Sequence, residues 1–212
     1  MQTYRQTRDY ENLQRMMFKG VGDYGIPAIA PVSNLEVDNW IGFNFMQTCK
    51  RAYDCAVHFF IDDYQFVRVW KQPDKYILPL SEFKAVCSPD FSPYSDFPKA
   101  IQLYNHFRKH WIAAYWQAHG LIVIPTITWS DPSTVDWCFD GEPAGSVVAL
   151  SSIGMFVRQD YTRWFMYGFD AMMERLHPTK IFWRGRIPDD INRDKTEIVP
   201  IPNFTDKWRK GR

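Results

Sequence analysis

Short apolar runs, rich in β-branched and aromatic residues, recur along this chain about every thirty residues, and each of the later ones stops at a polar turn. They are "AVHFFI" (56–61), "FKAVC" (83–87), "LIVIPTITW" (121–129), "VVALSS" (147–152) and "KIFW" (180–183), with "NWIGFNF" (39–45) as a short first candidate. Helical patterns lie between them. "YQFVRVW" (64–70) has apolar residues at helical spacing. In residues 97–119, Leu103, Tyr104, Phe107, Trp111, Ala114 and Ala118 share one face, with Ser95 or Asp96 as cap and Pro98 in the first turn. "DYTRWFMYGFDAMMERL" (160–176) carries a stripe of Tyr161, Trp164, Phe165, Phe169, Met172 and Leu176. This alternation predicts an α/β fold: a mostly parallel sheet of five or six strands built from repeated β-α units, open or incompletely barrel-like.

The flanks differ from this rhythm. Residues 1–38 include "GVGDYGIPAIAPVSN" and read as an irregular N-terminal arm. Residues 188–212 return to Pro and charge, end in "DKWRKGR", and read as a basic tail. The α/β domain is therefore expected over 39–187.

Composition narrows the classes of function. The 212 residues suffice for one sizeable core. With 25 basic and 24 acidic residues the net charge is +1, which excludes a globally basic nucleic-acid binder while leaving room for a local basic patch. Cys49, Cys55, Cys87 and Cys138 form no Cys-x-x-Cys pair, so neither a zinc site nor a disulfide framework is expected. The polar start "MQTYRQTRDYENLQRMM" and the absence of a run long enough to cross a bilayer point to a cytoplasmic protein with no membrane partner.

In parallel α/β sheets, ligands bind beyond the carboxyl ends of the strands, which selects candidate residues without any motif. Asp62 and Asp63 follow the run at 56–61, and Ser88 and Asp90 follow the next. Thr128 and Trp129 end the third, Ser151 the fourth, and Arg184 and Arg186 the last. Asp62 and Asp90 are the candidates for catalysis, as an acid–base pair or as ligands of Mg²⁺, the cofactor such oxygen donors suit. Asp63, Ser88, Thr128, Trp129, Ser151, Arg184 and Arg186 are the candidates for substrate binding. Hydroxyls and guanidinium groups there suit a phosphate-bearing ligand.

Structural alternatives stand beside these. Asp63 fits equally well as a helix cap, Ser95 and Asp96 as turn or cap residues, and Asp131-Pro132 as a helix start. His106 and His110 share a helix face, but with no third ligand and no intervening glutamate they read as solvated. No phosphate loop, dinucleotide fingerprint or nucleophile elbow is present.

"VHFFIDDYQF", "FKAVCSPDFSPYSDFPKAIQLYNHFRKHWIAAYWQAHGLIVIPTITWSD", "WCFDGEP" and "SVVALSSIG" together resemble an uncharacterised family of bacteria, phages and mobile elements, the domain of unknown function numbered four-four-one-seven. The resemblance spans about residues 40–183 and is most specific at Ser-Pro-Asp-Phe-Ser (88–92) and in the long helix. It implies a phage, plasmid or integrated-element setting, and so a role in replication, DNA metabolism or counter-defence. It carries no catalytic residue onto this chain. Two functions follow as expectations. The first is an enzyme-like protein binding a nucleotide or nucleic-acid fragment at the carboxylate-lined strand ends, for hydrolysis or phosphoryl transfer. The alternative is a non-enzymatic protein that binds a host protein or a nucleic acid.

Overall fold

The computed structural model describes residues 10–202. The chain first makes an antiparallel hairpin of β1 (Gly20–Val21) and β2 (Ile26–Pro27). The parallel strands follow: β3 (Asn39–Gly42), β4 (Cys55–His58), then helices α1 (Arg68–Lys71) and α2 (Pro73–Ser81), and β5 (Ala85–Cys87). The long helix α3 (Lys99–Ala118) leads to β6 (Val123–Ile124) and then β7 (Val147–Ser151). Helix α4 (Gln159–Leu176), β8 (Lys180–Arg184) and β9 (Glu197–Ile201) complete the described chain.

Two parallel sheets result, one ordered β3-β4-β5-β6 and the other β7-β8-β9. A parallel bridge between Thr126 and Ala149 links their facing edges. Strand order therefore follows chain order throughout, which means that every crossover steps in the same direction. The sheets curve toward each other: Trp40 of β3 meets Phe182 of β8 with ring centroids 4.9 Å apart. Among the described residues no pairing of β9 with β3 closes a barrel.

Four plus three parallel strands replace the five or six expected, and the C-terminal flank supplies the additional one. Residues read as a basic tail include β9, whose "EIVPI" looks irregular because it contains Pro200. That strand lies at a sheet edge, where a missing N–H is tolerated. The last part of the expected tail, 203–212, lies outside the described residues, as does the start of the arm, 1–9. The rest of the arm is built into the fold. Ile26, Ile29, Leu35 and Val37 are buried, and Ile29 N–H donates to the Gly141 carbonyl at 2.9 Å. Pro125 shortens the strand expected at 121–129. It interrupts the ladder after Ile124, although its carbonyl still accepts from Ala149 N–H at 2.8 Å.

β7 shows why its sequence is continuously apolar. Val147 and Ala149 point into the core shared with β3–β6, whereas Val148 and Leu150 point to a second core against α4. The alternation of side chains along a strand, with both faces covered, requires apolar residues at every position. On α4, Phe165, Phe169, Met172 and Leu176 complete that second core. Each fully buried side chain of this size contributes about 1.5–3 kcal/mol of hydrophobic stabilisation. α3 begins differently from expectation. Pro98 itself is the N-cap, in extended conformation and without a side-chain cap, and its carbonyl accepts from Ile101 and Gln102 N–H. The helix ends as read, with Gly120 just beyond it at φ +84°.

Candidate functional site

Because the strands are parallel, their carboxyl ends collect on one rim, and a cavity of about 530 Å³ opens there. The turn after β4 supplies Phe60 and Asp62, and the turn after β5 supplies Asp90, Ser92 and Tyr94. Thr128 and Trp129 follow β6, Ser151 ends β7, and Trp164 and Phe165 project from α4. Asp62, Asp90, Thr128, Trp129 and Ser151 thus come together from distant stretches of sequence.

Asp90 is the most perturbed group in this wall. Its residue surface is half-buried, but Oδ1 is sealed from solvent and has no hydrogen-bond partner. Burial raises its pKa to about 7, with the Asp63 charge adding to the effect. The Lys109 ammonium and the Thr128 hydroxyl act in the opposite sense, favouring the carboxylate. A carboxyl group that titrates near neutrality, in a cavity, is suited to take up and release protons. Among the described residues no three or more His, Cys, Asp or Glu side chains converge as a metal site. Mg²⁺ held by Asp62 and Asp90 would draw the rest of its shell from water or ligand oxygens, which is its usual habit.

Four of the candidates do not line the cavity. Asp63 lies in a short 3₁₀ turn, and its carboxylate accepts from Ser92 N–H at 3.1 Å and from the Ser92 hydroxyl at 2.8 Å. It ties the β4 turn to the β5 turn instead of capping a helix. Ser88 is fully buried. Its Oγ accepts from Thr126 N–H at 2.7 Å, and its carbonyl accepts from the Thr126 hydroxyl at 2.8 Å. Arg184 Nη1 donates to the Ile201 carbonyl at 3.4 Å. Burial, with the Arg184 charge assisting, lowers the His58 pKa to about 3. Arg186 is exposed, with its guanidinium 5.9 Å from the centre of the Phe156 ring and 3.9 Å from Asp189.

The turns that line the cavity are braced from behind by a polar stripe on α3, of which the sequence reading singled out only His106 and His110. Gln102 Nε2 donates to the carbonyls of Tyr94 and Phe97, and Asn105 Nδ2 donates to that of Ser92 at 2.7 Å. These bonds hold the "SPDFSPY" turn in place. Deeper, Lys109 Nζ donates to the Thr126 carbonyl at 2.9 Å and to Glu142 Oε1 at 2.6 Å. His110 lies 3.0 Å from the same carboxylate oxygen and 2.9 Å from the Pro27 carbonyl. With an acceptor at each ring nitrogen, both contacts are hydrogen bonds only when His110 or Glu142 holds the additional proton. His106 and His110 are therefore core residues and not a solvated face. The β1–β2 hairpin and the 137–142 turn cover that side of α3, and His106 Nε2 donates to the Asp140 carbonyl at 3.0 Å. The available signal was the i, i+3, i+4, i+7, i+8 spacing of Gln102, Asn105, His106, Lys109 and His110.

The aromatic wall depends on one glycine. A Cβ at Gly168 of α4 would lie 2.2 Å from Trp129 Nε1, so only glycine lets the helix pass this close to the indole. Trp129 in turn packs on Phe165 with centroids 5.3 Å apart.

The model of a family described as "Domain of unknown function (DUF4417)" matches residues 18–202. The chain is 39% identical over 200 residues to the Gene 1 protein of Mycobacterium phage L5, covering 92% of this chain and 86% of the relative. It is 35% identical over 202 residues to the Gene 1 protein of Mycobacterium phage D29, covering 92% and 73% respectively. No solved structure matches. No helix among the described residues is long and apolar enough to cross a membrane.

Proposed function

We propose that this chain, which belongs to the DUF4417 family, is an enzyme-like α/β protein that binds a nucleotide or nucleic-acid fragment in the strand-end cavity, for hydrolysis or phosphoryl transfer. The observation that carries the reading is Asp90: a carboxyl group that lines the cavity on the rim where parallel α/β folds bind ligands, with one oxygen buried and unpartnered and a pKa raised to about 7. Asp90 acts as the acid–base group. Asp62 is the second carboxylate and, with Asp90, the attachment point for Mg²⁺. Thr128 and Ser151 offer hydroxyls, and Trp129 offers a face for stacking. Asp63 and Ser88 act at one remove by fixing the turns, and Arg184 and Arg186 attract phosphate from outside the wall. The phage setting of the relatives supports a role in nucleic-acid metabolism or counter-defence.

The test compares wild type with Asp90→Asn against a panel of nucleotides and oligonucleotides, with and without Mg²⁺, by product analysis. Turnover lost in the variant with an unchanged circular dichroism spectrum supports the reading. Turnover that survives in Asp90→Asn rejects it.

A second reading rests on exposed apolar residues, one of which, Ile153, lines the cavity. Ile153, Val157 and Tyr167 are 54%, 73% and 54% exposed, a surface suited to a host protein partner. Under that reading Asp90→Asn leaves function intact and Val157→Asp abolishes partner capture.

A further inference from the structure

Cys49 and Cys55 stand apart from the other two cysteines. Their Sγ atoms lie 3.4 Å apart, and both residues are half-buried. Cys87 and Cys138 are sealed in the core, where burial pushes their thiols well above the ordinary range. Backbone hydrogen bonds fix the pair on both sides. Cys49 follows the 3₁₀ turn Phe43–Thr48, and its N–H donates to the Met46 carbonyl at 3.1 Å. Cys55 opens β4, where its N–H donates to the Ala52 carbonyl and its own carbonyl accepts from Lys84 N–H at 3.0 Å. A second short turn, Ala52–Asp54, folds the segment between them so that the two sulfurs meet. β4 runs from Cys55 to His58, and the turn beyond its far end carries Phe60 and Asp62 of the cavity wall. The sulfurs therefore lie at the amino end of the strand, away from the cavity.

A disulfide bond is about 2.05 Å long, so closure asks the two sulfurs to approach by only about 1.4 Å from where they stand. The fold has already brought the ends of the loop together, and a thiol held in contact with its partner reacts ahead of any thiol that must diffuse in. We infer that Cys49 and Cys55 form a dithiol modification site, which a small-molecule disulfide of the glutathione type oxidises to a reversible intramolecular bond. One cysteine thiolate attacks a sulfur of the reagent, whose S–S bond breaks and releases one glutathione thiolate. The second cysteine thiolate attacks the protein sulfur of the mixed disulfide, and the other glutathione thiolate leaves. The Cys49–Cys55 bond has then formed. The two cysteine thiols have lost two electrons and two protons, and the reagent has been reduced to two thiols that take up those protons. In a reducing compartment such a pair rests as thiols and closes when the disulfide pool rises. The site is independent of the cavity and of the reading given to it.

Incubation of the reduced, folded full chain with glutathione disulfide, followed by thiol blocking, intact mass and peptide mapping, tests it. Two of the four thiols should be lost with no glutathione retained, the Cys49 and Cys55 peptides should be linked, and dithiothreitol should restore both thiols. In Cys49→Ser and Cys55→Ser no linked peptide should form. The variant that keeps the attacking cysteine has no neighbour to expel the glutathione, so it should retain the adduct at least about tenfold above wild type. Cys87→Ser, which removes a sealed thiol, should behave as wild type. Glutathione that stays on Cys49 or Cys55 of the wild type overturns the inference. So does a bond between two copies of the chain, or a pair left unmodified while the denatured chain reacts. The map of the wild type decides all three, even where a serine variant fails to fold.

Discussion

Lys109 of α3 donates to Glu142 Oε1 at 2.6 Å with both side chains sealed from solvent, and the same ammonium holds the Thr126 carbonyl at the end of β6. One buried cation thus joins the long helix, the 137–142 turn and the rim that carries the cavity. Burial alone would raise the Glu142 pKa, but Lys109 and His110 overcome it and hold the group below the usual carboxylate range.

Removing one partner of such a pair leaves a buried charge uncompensated. Lys109→Met should destabilise the protein by about 3–5 kcal/mol, and the double variant Lys109→Met with Glu142→Leu should recover part of that loss. Urea unfolding midpoints check both. Since the folded Glu142 pKa is depressed, its contribution is present above the ordinary carboxylate pKa and is lost as pH falls through the folded value.

Asp90 has the opposite sign. Its folded pKa of about 7 lies above the unfolded value, so the folded state binds more protons between the ordinary carboxylate range and neutrality. Its ionisation therefore removes stability as pH rises through that window, with no further loss well above 7. Asp90→Asn should raise the melting temperature at pH 8, with a gain that shrinks as pH falls toward 4. A gain that is constant with pH would contradict the perturbed titration.

Gly168→Ala places a methyl group where the Trp129 indole lies. Overpacking of this kind costs about 1–3 kcal/mol. The displaced indole should also weaken ligand binding at the cavity. A melting curve and a titration on the same sample separate the two effects.

Ser88→Ala removes the acceptor of the buried Thr126 N–H. An orphaned buried donor costs about 1–3 kcal/mol. Amide hydrogen exchange at Thr126 should accelerate, while Ser92, which is held by Asp63, should change little.

The later strands were legible because both faces of a parallel sheet are covered, which forces unbroken apolar runs such as "VVALS". The strand-end rule was enough to bring Asp62, Asp90, Thr128, Trp129 and Ser151 to one cavity. It treated Ser88 in the same way, although its Oγ accepts from Thr126 N–H. The rule selects positions along the chain and does not give the direction of a side chain. β9 was hidden by Pro200 and its charged neighbours, which resemble a tail unless the strand is known to be an edge.

His106, Lys109 and His110 mark the boundary most clearly. The spacing of α3 determined that these residues share one face, since helical geometry is local. Whether that face met water or protein was a matter of what packed over it, and the β1–β2 hairpin and the 137–142 turn arrive from far away in the chain. Local periodicity orders residues on an element's surface. The burial that turns Lys109 and Glu142 into an ion pair, and Asp90 into a near-neutral acid, arises only when remote segments exclude water from them.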